Sequence, residues 1–133
     1  MKLTAFILNL PWTLIGLIAS HFSIPKKIDL SKNHFAFVIH IRSFWWYSLL
    51  TGQKRIRGMA MGNIILLAPL ADDLDLKHEL IHVEQFEREP FIHFFLNWYQ
   101  LVRFGYRGNK YEKEAYRRSG SRFYGKDENL TRF

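Results

Sequence analysis

The chain has 133 residues, which is room for one domain, and its 48% apolar and 17% aromatic content excludes a disordered linker. It contains no cysteine, which excludes a disulfide scaffold, a thiolate zinc finger and a cysteine nucleophile. The net charge of +7 is unevenly spread, because residues 58–100 hold seven acidic and two basic residues between basic flanks. Since this is not a uniform phosphate-binding stripe, we do not expect a nucleic-acid partner.

Residues 3–25 form an uncharged, largely apolar run between Lys2 and the pair Lys26 and Lys27. Its length would span a bilayer. Three interpretations remain open: a signal peptide, an N-terminal membrane anchor, or a core or interfacial helix broken at Pro11. We therefore divide the chain into a hydrophobic segment at 1–28, a domain at 29–125 and a frayed tail at 126–133. The protein is then either membrane-associated through the first segment or cytoplasmic.

Strand signals come next. Residues 34–41 are rich in β-branched and aromatic residues and predict a strand, whereas residues 43–50 fit either its continuation or a short helix. Residues 56–67 predict one or two strands, with Gly58 and Gly62 marking turns or a bulge.

Three helices are predicted after the strands, at 73–88, 90–104 and 110–123, with a loop at 105–109. The order of elements indicates an α+β fold, in which a short sheet of a few strands packs on these helices. In the second helix a stripe of apolar side chains is expected to be core, with a membrane-facing patch or a dimer interface as the alternative. The stripe consists of Phe91, Phe94, Phe95, Trp98, Tyr99 and Val102.

The first of these helices carries the motif HExxH, as His78-Glu79-Leu80-Ile81-His82. Residues four apart lie on one face of a helix, so both imidazoles can reach one metal ion. Glu79 can reach a water on that ion and accept its proton. Apolar residues flank the histidines on the helical wheel, so we expect the histidines to point inward.

A zinc site needs a third protein ligand. A metzincin would have histidine six residues after His82, where this chain has Arg88, and His93 is out of register for that pattern. A glutamate on a following helix is the gluzincin solution, and residues 109–117 supply Glu112 and Glu114.

The segments GNIILLAP, HELIHVEQ and GYRGNKYEKEAYRR resemble small bacterial proteins with the pattern HExxHVxQ…YRxNPxExEAxR. These are grouped with minimal gluzincin-type zinc metallopeptidases, and the resemblance covers residues 58–118. It implies a small zincin-like domain with one zinc ion per chain, and an edge strand at 62–67 that pairs with extended substrate. Lys110 stands where the pattern has proline, which alters the start of the helix but no ligand.

The resemblance also assigns residues. It implies that His78, His82 and Glu112 bind the metal, that Glu79 is the general base, and that Ala115 lets two helices approach closely. Glu114 is the alternative ligand, and it points about 200° away from Glu112 on the same helix.

Other polar residues are candidates for supporting roles. Gln85 could lie near the site, Asn109 could cap the third helix, and Glu84 is expected to face solvent. Tyr111, Tyr116 or His40 could donate a hydrogen bond to an oxyanion.

Two functions remain open at this point. One is a zinc-dependent peptidase that acts on a peptide or protein substrate. The other is a non-catalytic, zinc-stabilised module that binds a partner or a membrane.

Overall fold

We describe residues 2–31, 35–52 and 56–120 in a computed structural model. The predicted strand residue His34, the end of the predicted third helix and the predicted tail lie outside these residues. The described part is α+β, with six helices and four strands. In chain order the elements are α1 (Lys2–Leu8), α2 (Leu10–Phe22), β1 (Pro25–Leu30), β2 (Phe37–Ile41), α3 (Trp45–Thr51), β3 (Gly58–Met61), β4 (Ile64–Leu67), α4 (Asp73–Arg88), α5 (His93–Gly108) and α6 (Lys110–Ser119).

The N-terminal run forms two helices that meet at Asn9, not a helix broken at Pro11. Pro11 lies in the first turn of α2, where its missing N–H costs no hydrogen bond. Among the described helices, none is both long and apolar enough to cross a membrane. β1 begins at Pro25 and therefore crosses the boundary that we placed at residue 28.

α2 lies directly against the sheet. A Cβ atom added to Gly16 would lie 2.8 Å from the Cβ of Ile64, so the absence of a side chain allows this close approach. Thr13, on the same side of α2, accepts a hydrogen bond through Oγ1 from the backbone N–H of Asn63.

The sheet has the strand order β1-β2-β4-β3, with β2 and β4 parallel and the outer pairs antiparallel. β4 is therefore an interior strand, and the prediction that residues 62–67 form an edge strand is wrong. Its four residues are all buried and apolar, which is typical of a strand covered on both faces. The edge on that side of the sheet is β3.

Two apolar clusters form the core, one on each face of the sheet. Val38, Ile65 and Leu67 pack with Val83 of α4. On the other face Ile39, Ile41, Ile64 and Leu66 pack with Phe44, and Ala19 of α2 joins them.

The remaining helices agree with the predictions only in part. Residues 45–51 are helical, and α4 has the predicted bounds. α5 begins at His93, three residues after Pro90, because Phe91 has a φ of 69°. It then runs to Gly108 through a kink at Gly105, so the predicted loop at 105–109 is largely helical.

The apolar stripe of α5 is not core. Phe91, Phe95, Trp98, Tyr99 and Val102 are all exposed. The helical period shows correctly which side chains share a face, but little of that face is covered: Phe94, which stacks on Trp12 of α2, is its partly buried member.

Candidate metal centre

The first turn of α4 fixes where the HExxH motif lies. The Asp72 side chain accepts a hydrogen bond from the backbone N–H of Asp75, and the Asp75 side chain accepts one from the N–H of Asp72. This capping box begins the helix. His78 and His82 then fall one turn apart on its inner face, with exposures of 5% and 7%. The expectation that they point inward is confirmed.

α6 brings a carboxylate to the two histidines. Asn109 caps this helix as predicted, because its Oδ1 accepts a hydrogen bond from the N–H of Tyr111. Ala115 is completely buried. Glu112 then lies with Oε1 3.1 Å from His78 Nε2 and Oε2 3.1 Å from His82 Nε2.

The spacing of these three groups suits a metal ion. The two Nε2 atoms of His78 and His82 are 3.2 Å apart, and one ligand atom from each of the three residues lies within 4.8 Å of the others. Four tetrahedral ligands at about 2.0–2.1 Å from zinc are separated by about 3.3 Å. Two imidazoles and a carboxylate are also zinc's usual donors, so His78, His82 and Glu112 could hold such an ion.

Charge couples the three groups. Burial alone would lower the pKa of His82, but the charge and hydrogen bond of Glu112 raise it to about 10. Burial would likewise raise the pKa of Glu112, yet the two imidazoles hold it well below its ordinary range. The carboxylate is therefore ionised, as a metal ligand must be.

Glu79 is buried beside the histidines, with an exposure of 5%. Burial raises the pKa of its carboxyl group, against the opposing influence of His78 and His82. Its side chain lies against β3, where a Cβ on Gly58 would be 3.0 Å from Glu79 Cγ. Gly58 therefore leaves room for this carboxylate, and it lies in a strand where the sequence predicted a turn or bulge.

Gln85 fixes the orientation of the His82 ring. Its Nε2 donates to the carbonyl of Tyr111 and to Glu114 Oε1, each at 3.0 Å. Its Oε1 therefore faces His82 Nδ1, 2.8 Å away, and must accept that N–H. The other ring nitrogen, Nε2, is left to face His78 and Glu112, which is the usual arrangement around a metal-binding histidine.

Glu114 is turned away from the histidines, so the structure does not support it as the alternative ligand. Arg88 Nη2 lies 2.8 Å from its Oε1 and Arg118 Nη1 lies 2.8 Å from its Oε2. The pKa of Glu114 falls to about 2, chiefly because Arg88 hydrogen-bonds to it. Glu84, predicted to face solvent, lies partly exposed and pairs with Arg118.

The three proposed oxyanion donors occupy different places. Tyr116 lies near the centre, with its ring 4.3 Å from that of His78 and its hydroxyl 2.8 Å from that of Tyr106. Tyr111 is buried with its ring against His93. His40 pairs with Asp29 on β1, at the opposite edge of the sheet from β3.

A cavity of about 450 Å³ adjoins the centre. Its wall includes His78, Glu79, His82 and Glu112, the whole of β3, and Phe94 and Leu101 of α5. Two tyrosines that the sequence did not single out, Tyr47 and Tyr106, also line it. Burial and the charge of Glu112 raise the pKa of Tyr47, which keeps its hydroxyl protonated. Its place within an aromatic run gave no signal that would separate it from a core residue.

Comparison with protein-family models, with curated proteins and with solved structures gave no match.

Proposed function

We propose that this chain is a zinc-dependent peptidase of the gluzincin type. The observation that carries the proposal is the meeting of His78, His82 and Glu112 from α4 and α6, at separations that fit three corners of a zinc tetrahedron. Their position beside Glu79 on the wall of a cavity leaves space for a substrate.

When bound, a zinc ion lowers the pKa of a coordinated water to about 7 and polarises a carbonyl group. Glu79 then accepts a proton from the attacking water and passes it to the leaving amine. Its burial favours this role, because a raised carboxyl pKa lies closer to neutrality and improves both transfers. Tyr47 and Tyr106 on the cavity wall donate hydrogen bonds to the oxyanion.

The substrate is an extended polypeptide that pairs with β3. This strand is bonded to β4 on one side, and its residues line the cavity. On the other side of β3 the described chain places no strand, and a substrate strand added there would be held by main-chain hydrogen bonds. Met59, Met61, Phe94 and Leu101 make much of the lining apolar, so we expect a preference for apolar side chains.

The second candidate is a non-catalytic module in which the metal only stabilises the fold. The observation that favours it is that the three residues join α4 to α6, as a structural cross-link would. The two candidates share the metal and differ in the role of Glu79.

The metal site is tested by the zinc content of protein purified without an affinity metal. We expect about one zinc ion per chain. The Glu112→Gln variant should bind zinc at least tenfold more weakly than the wild type. Glu114→Gln is the matched control on the same helix. It should retain zinc because Glu114 faces Arg88 and Arg118 and because glutamine keeps an oxygen that can accept from Gln85. A wild-type protein that takes up no zinc, or a Glu112→Gln protein that binds it normally, would contradict the site.

Catalysis is tested by comparing wild-type and Glu79→Gln proteins, both loaded with zinc, on an unfolded apolar-rich polypeptide. The variant should keep its zinc and lose turnover by about 10²–10⁴-fold, the usual contribution of a general base. Full activity of the variant would disprove the mechanism. If the wild-type protein binds zinc and cleaves nothing, the non-catalytic module is the better description.

A further inference from the structure

The described chain exposes an unusually large set of apolar side chains on α1, α2 and α5, which we call the apolar face. Ten apolar side chains on these helices are more than half exposed, among them Leu3, Ile7, Leu14, Ile18, Trp98 and Val102. The largest apolar patch of an ordinary soluble monomer covers a few hundred Å², and larger ones mark sites of interaction.

α1 meets α2 at Asn9, and Trp12 joins α2 to α5. Its ring stacks on Phe94 with centroids 4.3 Å apart and meets the edge of Phe95 at 5.4 Å. Phe95 is itself 51% exposed, so the surface of α2 passes into that of α5 at this point. Asn9 ties the α1–α2 junction to the start of the same region by accepting a hydrogen bond from the N–H of Phe91.

Charge distinguishes between the possible occupants of this face. Residues 3–25 and 91–102 contain no Asp, Glu, Lys or Arg. Lys26 and Lys27 follow the first stretch, and Arg103 follows the second, with Arg107 one helical turn further on. All four are exposed, and Lys27 pairs with Asp29. An apolar surface with a basic rim attracts anionic headgroups, whereas two copies brought face to face would place like charges together.

The shapes of the helices also favour a lipid surface. α1, α2 and α5 have 7, 13 and 16 residues, and each has one exposed apolar side. Amphipathic helices such as α5 lie in the plane of the interface and bury their apolar side by about 5–10 Å. Trp98 and Tyr99, exposed next to the basic end of α5, are residue types enriched at the level of the headgroups.

We propose that the apolar face binds a membrane surface with anionic headgroups, with α1, α2 and α5 lying along that surface. The proposal goes beyond the proposed peptidase activity and does not depend on it.

Flotation of the full chain with vesicles tests this proposal in the presence of a chelator, so that metal binding and catalysis play no part. The vesicles are phosphatidylcholine alone, or about three parts phosphatidylcholine to one part phosphatidylglycerol. We expect binding to the anionic vesicles to be at least tenfold tighter, since the basic residues beside the apolar face attract anionic headgroups. The double variant Trp98→Gln, Val102→Gln should weaken that binding by at least tenfold.

The matched control is Leu70→Gln, which changes another side chain that is 81% exposed. Leu70 precedes the N-terminal end of α4, whereas the apolar face meets the C-terminal end at Phe86 through Asn9. Leu70→Gln should bind vesicles as the wild type does, and circular dichroism would establish that each variant is folded. The proposal is overturned if the wild type does not float, if both variants float equally with it, or if sedimentation finds a lipid-independent dimer that the double variant dissociates.

Discussion

His82 and His93 are both buried, but their surroundings shift their pKa values in opposite directions. The Glu112 carboxylate raises the pKa of His82, whereas burial lowers that of His93 to about 4, despite its hydrogen bond to Glu89. Within the described chain no atom pairs with Nε2 of His93, which is buried. A protonated ring there would leave a charged donor without a partner.

This setting makes stability depend on pH. The unfolded chain protonates His93 near its ordinary pKa of 6.5, but the folded chain does so only near 4. The free energy of unfolding should therefore fall as pH drops from about 6.5 to 4, by up to about 3 kcal/mol from this residue. Above pH 6.5 neither state binds the proton, so the contribution is constant.

Urea denaturation of chelated protein at several pH values, comparing wild type with His93→Phe, measures this effect. Phe can fill the space between the rings of Phe86 and Tyr111, so the variant should lose less stability on acidification. The exposed His21→Phe is the control and should keep the wild-type dependence. Equal slopes for wild type and His93→Phe would contradict the prediction.

At the scale of single residues, the sequence predicts best the relative positions of side chains that lie on the same helix. His78, His82 and Gln85 lie within two turns of α4, so their relative positions follow from helical geometry alone. The choice between Glu112 and Glu114 depends on how α6 crosses α4, and the carboxylate that lies beside the histidines is Glu112, the one that the resemblance named. Tyr47 could not be found in this way, because it reaches the cavity from a distant helix.

At the scale of elements, the sequence did not predict how α1 and α2 attach to the rest of the fold. Asn9, completely buried between them, donates from Nδ2 to the carbonyl of Phe86 at 2.8 Å. Its Oδ1 accepts from the N–H of Phe91 at the same distance. One side chain thus connects the N-terminal helices to the turn between α4 and α5.

Removing this connection should destabilise the whole fold. Asn9→Ala leaves two buried backbone groups without partners, and we expect the free energy of unfolding to fall by about 2–4 kcal/mol. Thr4→Ala, at an exposed position of α1, should change it by less than about 0.5 kcal/mol. Chemical denaturation measures both variants. A loss as small for Asn9→Ala as for Thr4→Ala would mean that this connection does not stabilise the fold.

The bounds of an element were predicted well where strong local signals mark its two ends. Asp72 and Pro90 bracket α4, so its bounds could be predicted from the chain. β4 was given the wrong place in the sheet because strand order depends on pairing between distant segments. Gly105 marks a kink and not an end, since helical turns continue on its far side to Gly108.

At the scale of the whole molecule, the α+β class could be predicted from the order of elements, because strands followed by helices leave few ways to cover a sheet. Whether the apolar stripe on α5 is buried could not be predicted from the sequence. Periodicity shows that Phe95, Trp98 and Val102 share a side of the helix, but only tertiary packing decides whether another element covers that side.

The meeting of α4 and α6 has a consequence for folding. Glu112 comes thirty residues after His82, so an ion held between them would close a long loop of chain that includes all of α5. In a chain without cysteine, such an ion would restrict the unfolded ensemble as a disulfide does, by about 3–4 kcal/mol for a loop of this length. Unlike a disulfide, this cross-link could be removed by a chelator and restored by metal, so the stability that it adds would depend on the supply of metal.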